Sequence, residues 1–309
     1  MYEAYTDTTA TNRISNTTIP KVAEAFFTTK DSVLMRYLNT NGELIETVFG
    51  SLSTSTPSTS TSTPSTEELF SELQTTFLFP NIQQLAVSPN KSKIFYTTEF
   101  NTGAAGILAN PNGTSKTNAF ESPIKEWLVE WSTTTVVTLT TKASAQTPGH
   151  LYFLNPNTGA QQQILRGDKN FTTRTNSNAS FVLYSKAISG RIPTLHIYDV
   201  KTSSSTPITS ISTLPEKCVW GKKDAQTVYC AVPTNPPQGE YPDVWYQGIV
   251  SFSDKLWKIN TTTGESQLLV DLKEITDRDI DAFNLSLDPN ETFVLFKNKT
   301  DLTLWSFTF

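Results

Sequence analysis

The feature that most constrains this chain is an internal repeat of about 45 residues, which is the period of a β-propeller blade. Each copy contains a short hydrophobic strand, a polar turn and a second strand. The clearest copies begin at residues 151, 195 and 256, and they read Leu-Tyr-Phe-Leu-Asn-Pro-Asn-Thr-Gly, Leu-His-Ile-Tyr-Asp-Val-Lys-Thr and Leu-Trp-Lys-Ile-Asn-Thr-Thr-Thr-Gly. This recurrence favours a ring of equivalent sheets over unrelated domains.

Six hydrophobic segments mark the second strand, B, of successive blades with strands A to D. They are 33–37, 94–96, 136–139, 181–184, 228–230 and 293–296. Three intervals between them are roughly 42 to 47 residues and two are roughly 60 to 65. The long intervals contain insertions at 51–80 and 234–253, and removing these insertions restores the period. Turns rich in Asn, Asp and Pro precede most of the segments, as expected between antiparallel strands.

These patterns predict an all-β fold, a β-propeller of four-stranded antiparallel blades that spans 1–309 as one domain. A β-sandwich also alternates strands and turns, but it need not repeat its turn chemistry at one interval. Residues 1–15 are predicted as a C–D hairpin and 280–309 as strands A, B and C, with five complete blades between. We expect six or seven blades, and we prefer seven, with an incomplete first blade.

Composition and charge exclude several classes of protein. The formal net charge is −5, and no run of basic residues exceeds Lys222-Lys223, which argues against a nucleic-acid partner. No apolar stretch approaches the ~18 residues that would span a bilayer, and we expect no signal peptide or anchor in these residues. The Ser/Thr/Pro tract at 51–66 is predicted as a disordered insertion.

The repeat also resembles a known family. The pattern Ser-Pro-Asn, a short strand B, then Leu-Tyr-x-x-Asn-x-x-Thr-Gly is similar to the WD-like propeller repeats of bacterial TolB-type proteins. The propellers of the prolyl oligopeptidase group are more distant relatives. The resemblance covers nearly the whole chain and implies the propeller fold and an extracytoplasmic location (periplasmic, cell-surface or secreted).

Cys218 and Cys230 are the only cysteines. They flank a turn centred near Asp224, so strands A and B of one blade would place them opposite each other, within reach of a disulfide. A disulfide would imply an oxidising compartment. The alternative is a pair of buried free thiols.

The insertion 234–253 is predicted to connect strands B and C, and the insertion 51–80 is interpreted as a D–A connection. B–C and D–A connections emerge on one face, where we expect a protein or glycan partner to bind. Trp245 and Tyr246 are candidate aromatic anchors, although Trp245 could instead fold back to plug its own loop. The candidate polar contacts on this face are Asp243, Glu240, Arg191 and His150.

The sequence contains few motifs that indicate metal binding or catalysis. Asp277, Asp279 and Asp281 have the spacing that begins a calcium loop, but Ala282 occupies the position where an EF-hand needs Gly. Calcium is therefore a weak alternative to the expectation of no metal. Neither a Gly-x-Ser-x-Gly elbow, a P-loop nor a dinucleotide fingerprint is present. We expect no catalytic residues and no cofactor, and we predict a non-catalytic binding or scaffold module. The alternative is a propeller enzyme that acts on a glycan or polysaccharide.

Overall fold

The computed structural model describes residues 2–4, 11–13, 15, 17–39, 41–42, 44–53 and 72–309. The chain is a six-bladed β-propeller of antiparallel sheets. It divides into two compact units, which we call unit 1 (Met1–Pro123) and unit 2 (Ile124–Phe309).

Unit 1 contains a two-stranded hairpin and two complete blades. The hairpin pairs β1 (Tyr2–Ala4) with β2 (Thr11–Arg13). Blade 1 comprises β3 (Val22–Thr29), β4 (Ser32–Leu38), β5 (Ile45–Ser53) and β6 (Glu72–Phe77). Blade 2 comprises β7 (Ile82–Val87), β8 (Ile94–Phe100), β9 (Gly103–Ala109) and β10 (Thr117–Ser122).

Unit 2 contains the other four blades. Blade 3 comprises β11 (Trp127–Thr133), β12 (Val136–Thr141), β13 (His150–Leu154) and β14 (Gln161–Arg166). Blade 4 comprises β15 (Thr173–Thr175), β16 (Phe181–Ile188), β17 (Arg191–Asp199) and β18 (Ser204–Ser212). Blade 5 comprises β19 (Cys218–Trp220), β20 (Thr227–Pro233), β21 (Asp254–Asn260) and β22 (Ser266–Asp271). Blade 6 has three strands, β23 (Ala282–Leu287), β24 (Phe293–Asn298) and β25 (Leu304–Thr308).

Two short helices lie in the connections of blade 5. Helix α1 (Asp243–Tyr246) lies between β20 and β21, and α2 (Leu272–Thr276) follows β22. A 3-10 turn, Pro215–Lys217, leads into β19. The described part of the chain contains no helix that is long and apolar enough to cross a membrane.

The predicted strands are confirmed, and the blade count is corrected. All six predicted B segments lie in second strands of blades, and five complete blades precede a blade made of strands A, B and C. The preferred seven-bladed arrangement is wrong, because β1 and β2 pair only with each other within the described residues. The incomplete blade is therefore blade 6, and not the first.

The connection that contains the insertion 51–80 is also corrected. Ser53 pairs with Glu72, so the residues between β5 and β6 join strands C and D, and not D and A. In an antiparallel blade the A–B and C–D connections share one end, which we call the AB/CD end. The B–C and D–A connections share the other, the BC/DA end. Ser51–Ser53 belong to β5, and the rest of the predicted disordered tract lies outside the described residues.

The repeated C–D turn has a simple physical basis. In blades 3 and 5 the amide of the Gly donates to the carbonyl four residues earlier, from Gly159 to Asn155 and from Gly264 to Asn260, each at 2.9 Å. Both glycines have φ of +74°, a left-handed conformation that a residue without Cβ adopts at little cost. Blade 4 uses Ser203 at this position, with φ of +56°.

The hydrophobic core of each unit lies between neighbouring blades. In unit 2 one cluster joins blades 4 and 5 and another joins blades 5 and 6. The disulfide between Cys218 and Cys230 belongs to the first of these clusters. The two cysteines face each other in the β19–β20 register, with 4.1 Å between their Cα atoms. The predicted disulfide is therefore confirmed.

Candidate functional site

The insertion 234–253 of blade 5 packs onto its own unit. Its backbone reaches blade 4, where the Gly239 amide donates to the Gly190 carbonyl at 3.1 Å. Tyr241, Trp245 and Phe252 are buried in one cluster, within which the Trp245 and Phe252 rings stack with centroids 6.3 Å apart. The insertion is thus a folded element of the BC/DA end of unit 2.

Trp245 and Tyr246 do not offer free aromatic surface. Trp245 is only 3% exposed, and its indole Nε1 donates to Asp281 Oδ2 at 2.9 Å. Tyr246 is partly buried, and its hydroxyl donates to the Glu216 carboxylate. The prediction of exposed anchors is therefore corrected, because both side chains find polar partners in blades 5 and 6. The alternative, in which Trp245 folds back onto its own loop, describes its position.

A fully buried ion cluster lies beneath this aromatic layer. Lys217 Nζ is 2.7 Å from Asp254 Oδ2 and 2.5 Å from Asp281 Oδ1, and all three side chains have no exposed surface. The same ammonium group lies 5.3 Å from the centre of the Trp245 ring and 5.0 Å from that of Phe252. The side chain of Lys217 is thus enclosed by two carboxylates and two aromatic rings.

The cluster holds two carboxylates for one cation. Burial raises the pKa of the Asp254 carboxyl to about 6, against the opposing effect of Lys217. Asp254 Oδ1 has no hydrogen-bond partner within the described residues, so no hydrogen bond to this oxygen offsets the cost of burying the ionised carboxylate. Asp281 by contrast accepts from Trp245, from Ser251 and from the Phe252 amide. The cluster joins the start of blade 5 to the start of blade 6.

A second polar ladder joins blades 3, 4 and 5. Arg174 forms an ion pair with Glu130, and the Thr175 amide donates to the same carboxylate at 3.1 Å. Glu216 accepts from Thr172 Oγ1 at 2.8 Å and from Tyr246. Burial raises the pKa of Glu216, while its hydrogen bonds oppose that change. Together with the ion cluster, this ladder connects the four successive blades of unit 2 through their inner strands.

The structure gives the position of each of the four predicted polar site residues. Asp243 accepts from the Ala145 amide at 3.1 Å, so it links the insertion to the B–C loop of blade 3. Arg191 and Glu240 are exposed at the same end of unit 2. His150 begins β13 and lies in an open cleft of blade 3.

The cleft around His150 consists of two adjoining depressions of about 490 and 460 Å³. Both are lined by His150 and Pro148, and the charged residues along them are Lys125, Glu126, Lys142, Arg166 and Asp168. His150 Nδ1 is 3.2 Å from Gln163 Nε2, and Lys142 pairs with Glu126 at 2.5 Å. The cleft is open and has a mixed polar and apolar lining, with a slight excess of positive charge.

Two glycines beside the cleft pack closely against a buried aromatic ring. The ring of Phe171 is fully buried against Gly149 and Gly167. A Cβ atom at Gly167 would lie 1.9 Å from Phe171 Cδ2, and one at Gly149 would lie 2.6 Å from the same side chain. Only glycine allows the backbone to approach the ring so closely.

The possible calcium ligands are not brought together. Asp281 is bound to Lys217, and Asp279 pairs with Lys273 at 2.9 Å. Asp277 ends α2 in a left-handed conformation. In the part of the chain that the structure describes, no group of three His, Cys, Asp or Glu side chains could hold a metal ion.

No motif in the sequence marks Lys217 or Glu216 as central residues. They are the two residues before Cys218, and their partners are distant in the chain. The one available signal was the presence of adjacent charges immediately before a strand otherwise made of Cys, Val and Trp. Charged groups that enter a buried strand need partners.

Comparisons with known proteins agree with the fold. No family model and no curated protein matches the chain. TolB from Acinetobacter baumannii is 13% identical, with a TM-score of 0.53, over 89% of this chain and 57% of that one. The chain is similar in fold to TolB. A Pyrococcus furiosus structure, the β-propeller domain of the Trilobed protease, is 9% identical, with a TM-score of 0.56, over 93% of this chain and 82% of that one.

Two other solved structures widen the comparison. Kuenenia stuttgartiensis hydrazine synthase is 11% identical, with a TM-score of 0.60, over 94% of this chain and 78% of that one. An acylaminoacyl peptidase is 9% identical, with a TM-score of 0.58, and the chain spans 44% of its length. At these identities the likeness concerns the fold alone. The neighbours therefore include both TolB and the propellers of peptidases.

Proposed function

We propose that this chain is a binding module that docks a protein partner at the BC/DA end of its blades. The observation that carries the proposal is the uneven distribution of exposed apolar side chains. In the described part of unit 2, six of the eight large apolar side chains that are exposed lie at the BC/DA end. They are Ile124, Ile188, Ile249, Ile275, Leu302 and Leu304, against Leu268 and Phe309 elsewhere.

Unit 1 has the same asymmetry. Among its described residues, five of the six exposed large apolar side chains lie at the BC/DA end of blades 1 and 2. They are Leu44, Ile45, Phe77, Phe79 and Phe100, against Phe27 near the A–B turn. The AB/CD end consists largely of Asn, Asp, Thr and Gly turns. Within each unit, exposed apolar groups concentrated at one end of the blades and interspersed with charges are typical of protein interaction sites.

The rigidity of this end also supports a binding role. The insertion of blade 5 is bound to the ion cluster through Trp245 and to the B–C loop of blade 3 through Asp243, so little conformational entropy would be lost when a partner binds there. Ile249 is 69% exposed although its own loop is anchored by buried Trp245. In this proposal the exposed isoleucines supply apolar contact, and Arg191, Glu240 and the His150 cleft supply polar specificity.

We place the module outside the cytoplasm. The Cys218–Cys230 disulfide requires an oxidising compartment to persist, and the fold is similar to that of TolB. Alkylation of the protein isolated under denaturing, non-reducing conditions should modify neither cysteine. Two alkylated cysteines in freshly isolated protein would contradict the proposed location.

The test of the docking end compares two single substitutions. Immobilised wild type, Ile249→Asp and Leu268→Asp would be exposed to extract from the source organism, and the captured proteins quantified. The proposal predicts a protein that wild type and Leu268→Asp retain and that Ile249→Asp loses. Loss from Leu268→Asp alone, or equal retention by both, would reject this end as the docking surface. Turnover of a glycan by wild type would instead favour the enzyme alternative.

A further inference from the structure

Three surface turns of the chain share one sequence pattern and one conformation. Each contains Asn-x-Ser/Thr with x other than Pro, which is the sequence that accepts N-linked glycans. The three turns are Asn90-Lys91-Ser92, Asn112-Gly113-Thr114 and Asn178-Ala179-Ser180. Their middle residues have φ of +61°, +81° and +57°, and each middle amide donates to the carbonyl of the third residue before it. The same turn is therefore built three times, twice in blade 2 and once in blade 4.

The asparagine side chain makes the same contacts in each of these turns. Its Oδ1 accepts from the hydroxyl of the Ser or Thr two residues later, at 2.8 Å for Asn90, 2.7 Å for Asn112 and 2.5 Å for Asn178. It also accepts from the amide of that residue, at 3.1 to 3.2 Å. Within the described residues none of the hydrogen bonds of these asparagines uses Nδ2, and all three residues are exposed. The nitrogen to which a glycan would be attached is therefore accessible.

The three asparagines lie at the AB/CD end of their blades. Asn90 and Asn178 belong to A–B connections, and Asn112 belongs to a C–D connection. Asn170 and Asn298 also begin an Asn-x-Thr sequence, but they lie at the BC/DA end and are only 5% and 1% exposed. A glycan is bulky and polar, so neither of these buried side chains could carry one in the folded blade.

Two further Asn-x-Thr sequences lie in turns at the AB/CD end but lack the shared geometry. The Thr292 hydroxyl donates to Asp288 at 3.0 Å, and not to Asn290. Asn260 is partly buried, and within the described residues its side chain accepts from two backbone amides and from no hydroxyl. The structure thus separates three copies of the sequence from the others.

From these observations we infer that Asn90, Asn112 and Asn178 are sites of N-linked glycosylation. In this modification Nδ2 forms a bond to the anomeric carbon of a sugar supplied by an oligosaccharide linked to a lipid diphosphate. The bond from that carbon to the diphosphate oxygen breaks, the lipid diphosphate leaves with the electron pair, and Nδ2 releases one proton. The inference rests on the location outside the cytoplasm proposed above, because such acceptor sequences are used in secreted proteins. It leaves the BC/DA end uncovered by glycans.

The test is tandem mass spectrometry of peptides from the chain isolated from its source organism, with electron-transfer fragmentation to locate each modified residue. The inference predicts a sugar mass on Asn90, Asn112 and Asn178, and unmodified Asn170 and Asn298. The absence of sugar from two or more of the three turns would overturn it. A sugar on Asn170 or Asn298 would overturn the argument from burial.

A pair of variants expressed in the source organism tests the contribution of the hydroxyl. Thr114→Ser retains the hydroxyl and should keep the glycan on Asn112. Thr114→Val has nearly the same shape as wild type without the hydroxyl, and it should lose this glycan while Asn90 and Asn178 keep theirs. Equal glycan occupancy of Asn112 in the two variants would contradict the inference.

Alkylation of the cysteines in the same preparation separates this inference from the proposed location. Unmodified asparagines together with two protected cysteines would reject glycosylation while the location stands. Two alkylated cysteines would reject the location, and with it the inference.

Discussion

At the scale of single residues, Trp245 shows how polar partners decide the role of an aromatic side chain. A Trp among Pro, Asp and Gly in a long insertion is typical of an exposed anchor, yet its indole N–H is bound to buried Asp281. Trp245→Ala should therefore lower the free energy of unfolding by about 3 to 5 kcal/mol, measured by urea denaturation. Ile249→Ala in the same loop should change it by less than about 0.5 kcal/mol. A Trp245→Ala variant as stable as wild type would contradict the buried position.

Ser203 carries backbone strain that the equivalent turns avoid. It occupies the left-handed position, at φ of +56°, that Gly159 and Gly264 fill in the neighbouring copies. Ser203→Gly should raise the free energy of unfolding by about 1 kcal/mol, because a Cβ is unfavourable in that conformation. Gly264→Ala, the matched change in blade 5, should lower it by a similar amount. If both variants shift the thermal midpoint in the same direction, the turn analysis is wrong.

The conformation and partners of a residue could be predicted from the sequence where neighbours in the chain determine them. The Asn-to-Gly turns and the opposition of Cys218 and Cys230 follow from a strand period of two and from turn preferences. The sequence left open whether Trp245 is an exposed anchor or folds back onto its own loop, because Asp281, the partner that decides it, lies 36 positions away. The importance of Lys217 likewise depends on Asp254 and Asp281, which come together only when blades 5 and 6 are in place.

At the scale of elements, the ion cluster between blades 5 and 6 should make stability depend on pH. The pKa of Asp254 is about 6 in the folded protein, above its ordinary value of 3.8. The folded state therefore holds this proton more tightly than the unfolded state. Lowering the pH from 8 to 4 should stabilise the fold through this residue by about 3 kcal/mol. This stabilisation is fully present below the pKa of the unfolded state and is lost as the pH rises through 6.

The measurement is the free energy of unfolding of wild type and Asp254→Asn across that range. Asn keeps an acceptor for the Ala282 amide but carries no charge, and Lys217 retains Asp281. The variant should therefore lose the part of the pH dependence that Asp254 supplies, while buried Glu216, whose pKa burial also raises, should maintain a dependence of the same sign. An unchanged slope would show that Asp254 is not the titrating group.

Removing the positive charge of Lys217 should destabilise the fold. Lys217→Met leaves two buried carboxylates without a counter-charge, so unfolding should become easier by about 3 to 5 kcal/mol at pH 8. The loss should be smaller at pH 5, where Asp254 is largely protonated. Chemical denaturation at the two pH values measures this difference. An equal loss at both would contradict the charge argument.

Strand order is the element-scale feature that the sequence left uncertain. The repeat located the B strands correctly, but the insertion 51–80 was assigned to a D–A connection. The β5–β6 pairing shows that strand C ends at Ser53 and strand D begins at Glu72. A polar insertion carries no hydrophobic pattern that would reveal which two strands it connects. The number of blades was also uncertain, because the sequence of the two chain ends does not show to which strands of a blade they belong.

At the scale of the whole molecule, the fold does not determine an activity, since similar propellers occur in TolB and in peptidases. The functional signal is the distribution of exposed apolar groups between the two ends of the blades. The sequence suggested the BC/DA end on the basis of its long insertion. It did not indicate that the exposed apolar side chains at this end are Ile188, Ile249 and Leu302, while Trp245 is buried.

The most direct measurement of the docking proposal is lysine cross-linking of the protein in its native extract, followed by mass spectrometry. In unit 2, Lys142, Lys169 and Lys299 lie at the BC/DA end, whereas Lys201, Lys222 and Lys223 lie at the AB/CD end. The proposal predicts that cross-links to a partner protein occur at the first set and are absent or rare at the second. Cross-links concentrated at Lys201, Lys222 and Lys223 would contradict it.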